Sequence, residues 1–382
     1  MTQIKNIIIL LVLITAITSC VDEYWPEVDK YENVLVVDGL LTNGNEPAVV
    51  RLSLSSPVSN DEYIPLSGGT VYISDQNEFD ITLTETQPGV YQVLDSSYHG
   101  EVGSSYQLHI DLPDGRSYES DICSLRPPSP IDSVYSMIES PEYQSGLHIV
   151  EGLQFYIDNH SDNLSDTLYY LWNLTQTFKY KSTFDIDWVW AGYYYPFPDP
   201  DSLRTCWYTS QVSEMFMFST KFLDQPIITE FPLNYVSSET KQLSVRYSLF
   251  VRQLSISEQA FDFFYALEQQ NIDQGDYYSQ QPIQIVGNIH SVVNSEEKVL
   301  GYFTVAGMTN KRIFVNRPPI PFYYNICTPD YDLRFIEFYP ESTWPIYIDD
   351  IMFTGWALGE NNTCFDCREE GGTLTPPDFW ED

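Results

Sequence analysis

A chain of 382 residues with 54 acidic and 18 basic side chains carries a net charge of −36, which argues against nucleic acid as a partner and against docking onto anionic lipid head groups. At 43% hydrophobic and 15% aromatic residues it can build packed cores, so wholesale disorder is excluded. The abundance of Tyr (29) and Phe (21), with β-branched residues spread along the whole length, predicts strands over helices.

The N-terminus has the form of an export signal. Lys5 precedes an apolar stretch from Ile7 to Ile17, broken at Thr15, and Thr18-Ser19-Cys20 follows. A charged start, an apolar run of about 7–15 residues and small residues at the cut describe a signal peptide. The run is too short for a membrane span, which takes roughly 20 apolar residues. A Cys at the cut predicts the bacterial lipoprotein form, with 1–19 removed, Cys20 lipidated and 20–33 serving as anchor and tether. An ordinary signal peptide with an incidental Cys is the alternative. Val21-Asp22-Glu23 then resembles the surface-export signal of Bacteroidota lipoproteins. That implies an outer-membrane protein held by lipid and facing the cell exterior.

Residues 34–125 read as a small β-sandwich. Val34–Leu40 is an apolar run, and Val50, Leu52 and Leu54 alternate with polar neighbours. Strands follow at Val71–Ser74, Ile81–Thr84 and Val90–Leu94. Tyr106, Leu108, Ile110 and Leu112 alternate most clearly, and Pro113-Asp114-Gly115 turns the chain into Arg116–Ser120. About seven short strands punctuated by turns predict a sandwich. Arg126-Pro127-Pro128-Ser129-Pro130 then predicts a stiff, extended joint at a domain boundary.

Residues 131–382 predict a larger β-rich domain with a C-terminal coil tail. Leu153–Ile157 and Leu168–Leu174 alternate, and Asp158–Asp166 between them predicts a hairpin connection. Tyr247, Leu249 and Val251 continue an alternation that starts at Leu243, with Arg246 and Arg252 on the other face. One notable helix follows: Ser255-Ile256-Ser257-Glu258 has capping-box form, and Phe261, Phe264, Tyr265 and Glu268 keep helical spacing to about Gln270. Further strands are expected at Ile283–Ile289, Val299–Val305, Arg312–Val315 and Tyr347–Phe353.

With Cys20 lipidated, Cys123, Cys206, Cys327, Cys364 and Cys367 remain, and disulfides are their default use outside the cytoplasm. Cys364-x-x-Cys367 lacks the βαβ context of a redox motif, and the five His are too scattered for a zinc site. Cys364 or Cys367 is expected to pair with Cys206 or Cys327, leaving Cys123 free. No catalytic residues stand out. Nothing of G-x-S-x-G form occurs, and His290 in Gly287-Asn288-Ile289-His290 reads as structural. No pair among so many acids is singled out for glycan hydrolysis. The Asp158–Asn163 run offers oxygens to calcium without the spacing of a known loop, and turn chemistry accounts for it. No cofactor and no metal are expected. The one candidate binding segment, Phe184–Asp201, concentrates Trp188, Trp190, Tyr193, Tyr194, Tyr195 and Phe197. These rings form either a contact surface for a partner or ligand or the core of the second domain. Three strings, starting at Asp132, Asp166 and Asp201, fit a short O-glycosylation signal.

Several landmarks together resemble a known family. They are the Cys20 lipobox, Gly69-Thr70-Val71-Tyr72-Ile73 with Pro88-Gly89-Val90-Tyr91, Gly103 to Tyr118, Gly287-Asn288-Ile289-His290, Leu300-Gly301-Tyr302-Phe303 and the ending from Cys364 to Trp380. The chain is similar in these to the Bacteroidota lipoproteins catalogued as domain of unknown function 4249, with Cys123 an addition to the pattern. The first domain also resembles transthyretin-like sandwiches. The residues predict a mostly β protein that is not an enzyme. The resemblance, which carries no established catalytic residues, implies a lipoprotein serving as accessory subunit of a TonB-dependent outer-membrane barrel, capping it or capturing its ligand. A scaffold within a larger outer-membrane complex is the alternative, and a glycan- or peptide-acting enzyme the third reading.

Overall fold

The computed structural model describes residues 33–56, 63–77, 79–95, 97–140, 150–161, 167–273, 285–324, 327, 333–351, 355–358 and 362–382. Cys20, with the signal and all but the last residue of the tether, lies outside them. The described chain is mostly β, with one α-helix, Glu258–Asp273.

All seven expected strands of the first part form, with ends shifted by at most three residues. Alternation buries Val37, Val50, Leu52, Val71, Ile73, Leu108 and Ile110 in one core. The Asp80–Gln87 strand pairs with Thr70–Asp75 on one side and Val90–Gln92 on the other, so it carries the sheet round from one layer to the next. The sandwich does not end at residue 125. Ile289, Val299, Phe303 and Val305 complete its core, and Ile289–Ser291 extends its edge beside Ser117–Ser120.

A single long strand, Val299–Asn316, replaces the two shorter ones expected there. Its first half pairs in parallel with Leu35–Thr42, and its second half, from Gly307 to Asn316, pairs antiparallel with Arg246–Ser255. One 15-stranded sheet therefore runs through both parts. The proline-rich joint is packed rather than free. Ser129 is buried, its N–H donates to Ser255 Oγ at 3.2 Å, and its carbonyl accepts from Gln253 Nε2 at 2.9 Å.

In the second part Tyr169–Lys181 lies between Arg246–Ser255 and Thr205–Gln211. One face, with Tyr170, Trp172, Leu174, Tyr247, Leu249 and Val251, packs against a three-stranded sheet of Ser133–Glu139, Gly152–His160 and Ile227–Ser237. The expected hairpin across 158–166 is therefore a crossover. Gly152–His160 finds its partners in the small sheet, whereas Tyr169–Lys181 finds them in the large one. Both faces of Tyr169–Trp172 are buried, with Tyr170 and Trp172 toward the small sheet and Tyr169 and Leu171 toward the helix.

The opposite face carries the helix through Ala260, Phe263, Phe264 and Leu267. Phe263 is the deeper anchor, and Tyr265 is exposed, contrary to the expected stripe. The cap also differs. Ser257 Oγ accepts from Ala260 N–H at 3.1 Å, while Ser255 ends the preceding strand. Farther along that face lies the C-terminal tail, where Trp380 packs edge-on to Trp207 and Phe314 and Phe379 covers the Arg312 guanidinium.

Candidate binding surface

Trp188–Trp190 and Tyr194–Pro196 form a tight hairpin, with Gly192 at φ 85° in the turn. Ile346–Ile351 pairs with the first strand, and Gly355–Leu358 completes a four-stranded sheet. Alternation sends the aromatic rings in different directions. On one face Val189 is buried with Phe184, Ile186, Cys364 and Phe365, and Tyr195 and Phe197 pack against them. On the other, Trp190 is buried with Ile336 and Ile348, flanked by Trp188 and Trp344. Only the tip is open. Tyr193 is 66% exposed and Tyr194 44%, tilted against Tyr195 and Trp190 at 5.5 and 4.7 Å between ring centroids. Four of the six rings build the support, and two are exposed. Phe338 and Tyr339 are also exposed.

Two disulfides fasten this region, Cys206–Cys367 and Cys327–Cys364, and Cys123 is free. Each C-terminal Cys thus takes one of the two expected partners. The closed loops span 161 and 37 residues, so both bridges remove unfolded-state freedom from the tail. Arg204 braces the base of the hairpin, donating to Asp185 at 2.6 Å and to the Ser182 and Thr183 carbonyls. Burial, then the charges of Asp187 and Asp185, push the Asp349 carboxyl up to about 6.

His290 and Asp158, singled out in the sequence, have structural partners. His290 is exposed and pairs with Asp121 at 3.0 Å. Asp158 accepts from Ser133 Oγ and from the Glu230 N–H at 2.6 and 2.8 Å, so the calcium candidate's first oxygens hold the fold together. Residues 162–163 of that run lie outside the described residues, as does Asp166 of the second glycosylation string. Of the other two strings, Ser202 sits in an exposed turn, whereas Ser133 is bonded within a strand. Among the described residues no group of three His, Cys, Asp or Glu is arranged to hold a metal ion.

One arrangement was not legible in the sequence. Ser74 Oγ lies 2.9 Å from His109 Nε2, and His109 Nδ1 lies 3.4 Å from Glu119. Cross-strand register brings these three together from three strands, and Tyr72 stacks on the imidazole at 4.6 Å. Acyl transfer would need free N–H donors converging beside Ser74. Its strand is paired on both sides, so the ladder consumes those groups. The trio reads as a cross-strand polar ladder. Cys123 is equally unsuited as a nucleophile, because burial pushes its thiol up to about 11.

A family model described as "Domain of unknown function (DUF4249)" matches residues 21–312. No curated protein matches the chain.

Proposed function

The chain belongs to the domain of unknown function 4249 family, and from that premise we propose that it is a surface lipoprotein of the outer membrane acting as accessory subunit of a TonB-dependent barrel. It caps the barrel or captures the solute that the barrel imports. The observation that carries this reading is the braced aromatic tip. Tyr193 and Tyr194 are exposed on a hairpin whose other rings are buried and whose base is tied by two disulfides. Rigid tyrosines offer large contact area at low entropy cost, which suits a protein partner. The leader ending at Cys20 supports the anchor.

The test is purification of the tagged protein from its own membranes in mild detergent. One barrel in near-equal amount is the expected result, lost from the double variant Tyr193→Ala/Tyr194→Ala. Cys20→Ala should release the protein from the membrane fraction. Recovery alone, or with many unrelated membrane proteins, would overturn the accessory role.

A further inference from the structure

The large sheet leaves a cavity where its two halves meet. Along Arg246–Ser255 the side chains of Phe250, Arg252 and Leu254 share one face by alternation. The tail covers that face near Phe250, through Phe379 and the Arg312 guanidinium between them. The helix covers it near Leu254. Between the two coverings lies a cavity of about 600 Å³, reached from both parts of the chain. Ligand sites fall between about 300 and 1,000 Å³ and favour such junctions.

Its polar lining sets two guanidinium groups against two carboxylates. Arg252 bonds Glu46 at 2.6 Å, and Arg51 bonds Asp38 at 3.1 Å. Arg252 is three-quarters buried, and its Nε is buried with no acceptor among the described residues. That N–H is closed off from the cavity, so a ligand would meet the terminal nitrogens, of which Nη2 carries the bond to Glu46. Gln211 accepts from Thr175 through Oε1, which leaves its amide N–H₂ to donate. Two of the chain's 18 cations thus meet in one cavity, each with donors to spare.

Free guanidinium donors suit a planar carboxylate, as they also suit a phosphate. Glu46 and Asp38 are already neutralised, so they suit a hydroxyl donor better than an ammonium group. Leu40, Leu171, Leu254 and Phe264 add apolar wall for ring C–H faces. We propose that this cavity binds a uronic-acid sugar, with its carboxylate on Arg252 and Arg51 and its hydroxyls on Glu46, Asp38 and Asn173. The inference deepens the capture role proposed above and rests on that reading for its purpose.

Calorimetric titration of the full chain with digalacturonate tests it, with lactose as the neutral sugar and the dipeptide Ala-Ala as the zwitterion. The expected result is saturable binding of digalacturonate, at least about tenfold tighter than either comparison. Arg252→Gln should weaken it about tenfold or more, and Arg51→Gln, at the open rim, should weaken it less. The rim variant keeps the test decisive if Arg252→Gln fails to fold. Absence of binding by digalacturonate, equal affinity for lactose, preference for Ala-Ala, or unchanged affinity in the folded Arg variants would each overturn the proposal. Because the titration uses the protein alone, its failure would leave the barrel copurification standing, and the reverse also holds.

Discussion

At the scale of single residues, the join between the two parts depends on atoms that are missing. Gly301 has φ 96°, and a Cβ there would lie 1.8 Å from the Val37 carbonyl oxygen. Val37 and Gly301 are register partners in the parallel pair that unites the sheet. A side chain would force that pair apart, so Gly301→Ala is expected to cost about 3 kcal/mol or more. A lower urea midpoint would show it, and an unchanged midpoint would contradict the close approach. Gly287 is confined in turn, since its Cβ would meet the Gly301 carbonyl at 1.5 Å. Asn288 beside it accepts from Phe303 N–H at 2.8 Å and donates to Phe303 O at 3.0 Å, serving as a buried strand partner. Gly287-Asn288-Ile289-His290 thus stands out in sequence for the sake of Gly and Asn, whereas its His is on the surface. The residue types were visible; the backbone they accommodate, at Gly301 and Phe303 of the next strand, was not.

Asp349 gives a pH dependence at the same scale. Its carboxyl is held up at about 6, first by burial and then by the charges of Asp187 and Asp185. The unfolded chain releases that proton near pH 4, so between the two values the folded state binds the extra proton. This contribution is complete below about pH 4 and is lost as pH rises through 6. Its size is of order 1 kcal/mol after solvent screening. Asp349→Asn should therefore flatten the thermal stability profile between pH 4 and 6. A profile as steep as that of the parent would rule the carboxyl out as its source.

At the scale of elements, alternation made strands legible wherever one face is wet. Tyr106 to Leu112 is the clearest example, since its strand has a core on one side only. Pattern was less informative where burial is two-sided. Tyr169–Trp172 reads as a hairpin arm in sequence and proves to be a strand between two cores. The tail, read as coil, lies against the large sheet. Thr373 bridges to Trp207, Phe379 stacks on Arg312 at 3.6 Å, and Asp382 bonds Lys179 at 2.7 Å. Aromatic and cation–π contacts carry no periodicity, which is why the tail was not legible as a packed element. Truncation after Thr373 keeps both disulfides and uncovers Phe314 and Trp207. A loss of about 2–3 kcal/mol is expected, read as a fall of several degrees in Tm with the far-UV spectrum retained. No change in Tm would mean that the tail only rests on the sheet.

At the scale of the whole molecule, a boundary at a proline-rich joint suggests two bodies that unfold separately. The core argues otherwise. Four side chains from beyond residue 280, Ile289, Val299, Phe303 and Val305, are inside the first sandwich, and its first strand is hydrogen-bonded along eight register pairs to the 299–316 strand. The joint between them is buried at Ser129 and bonded to Gln253 and Ser255. Removing the second part would strip the sandwich of core atoms and leave Leu35–Thr42 as a bare edge beside an open hydrophobic face. Both parts are therefore expected to unfold in one cooperative step. The chain offers a direct probe, because Trp25 is the only Trp before residue 172. Tryptophan fluorescence follows the second part, while far-UV dichroism follows strands in both. Coincident urea transitions by the two probes are the expected outcome, together with an unfolded spectrum for residues 34–125 expressed alone. Separated transitions, or a folded fragment, would restore two independent domains and would uncouple the cavity at their junction from the fold of either half.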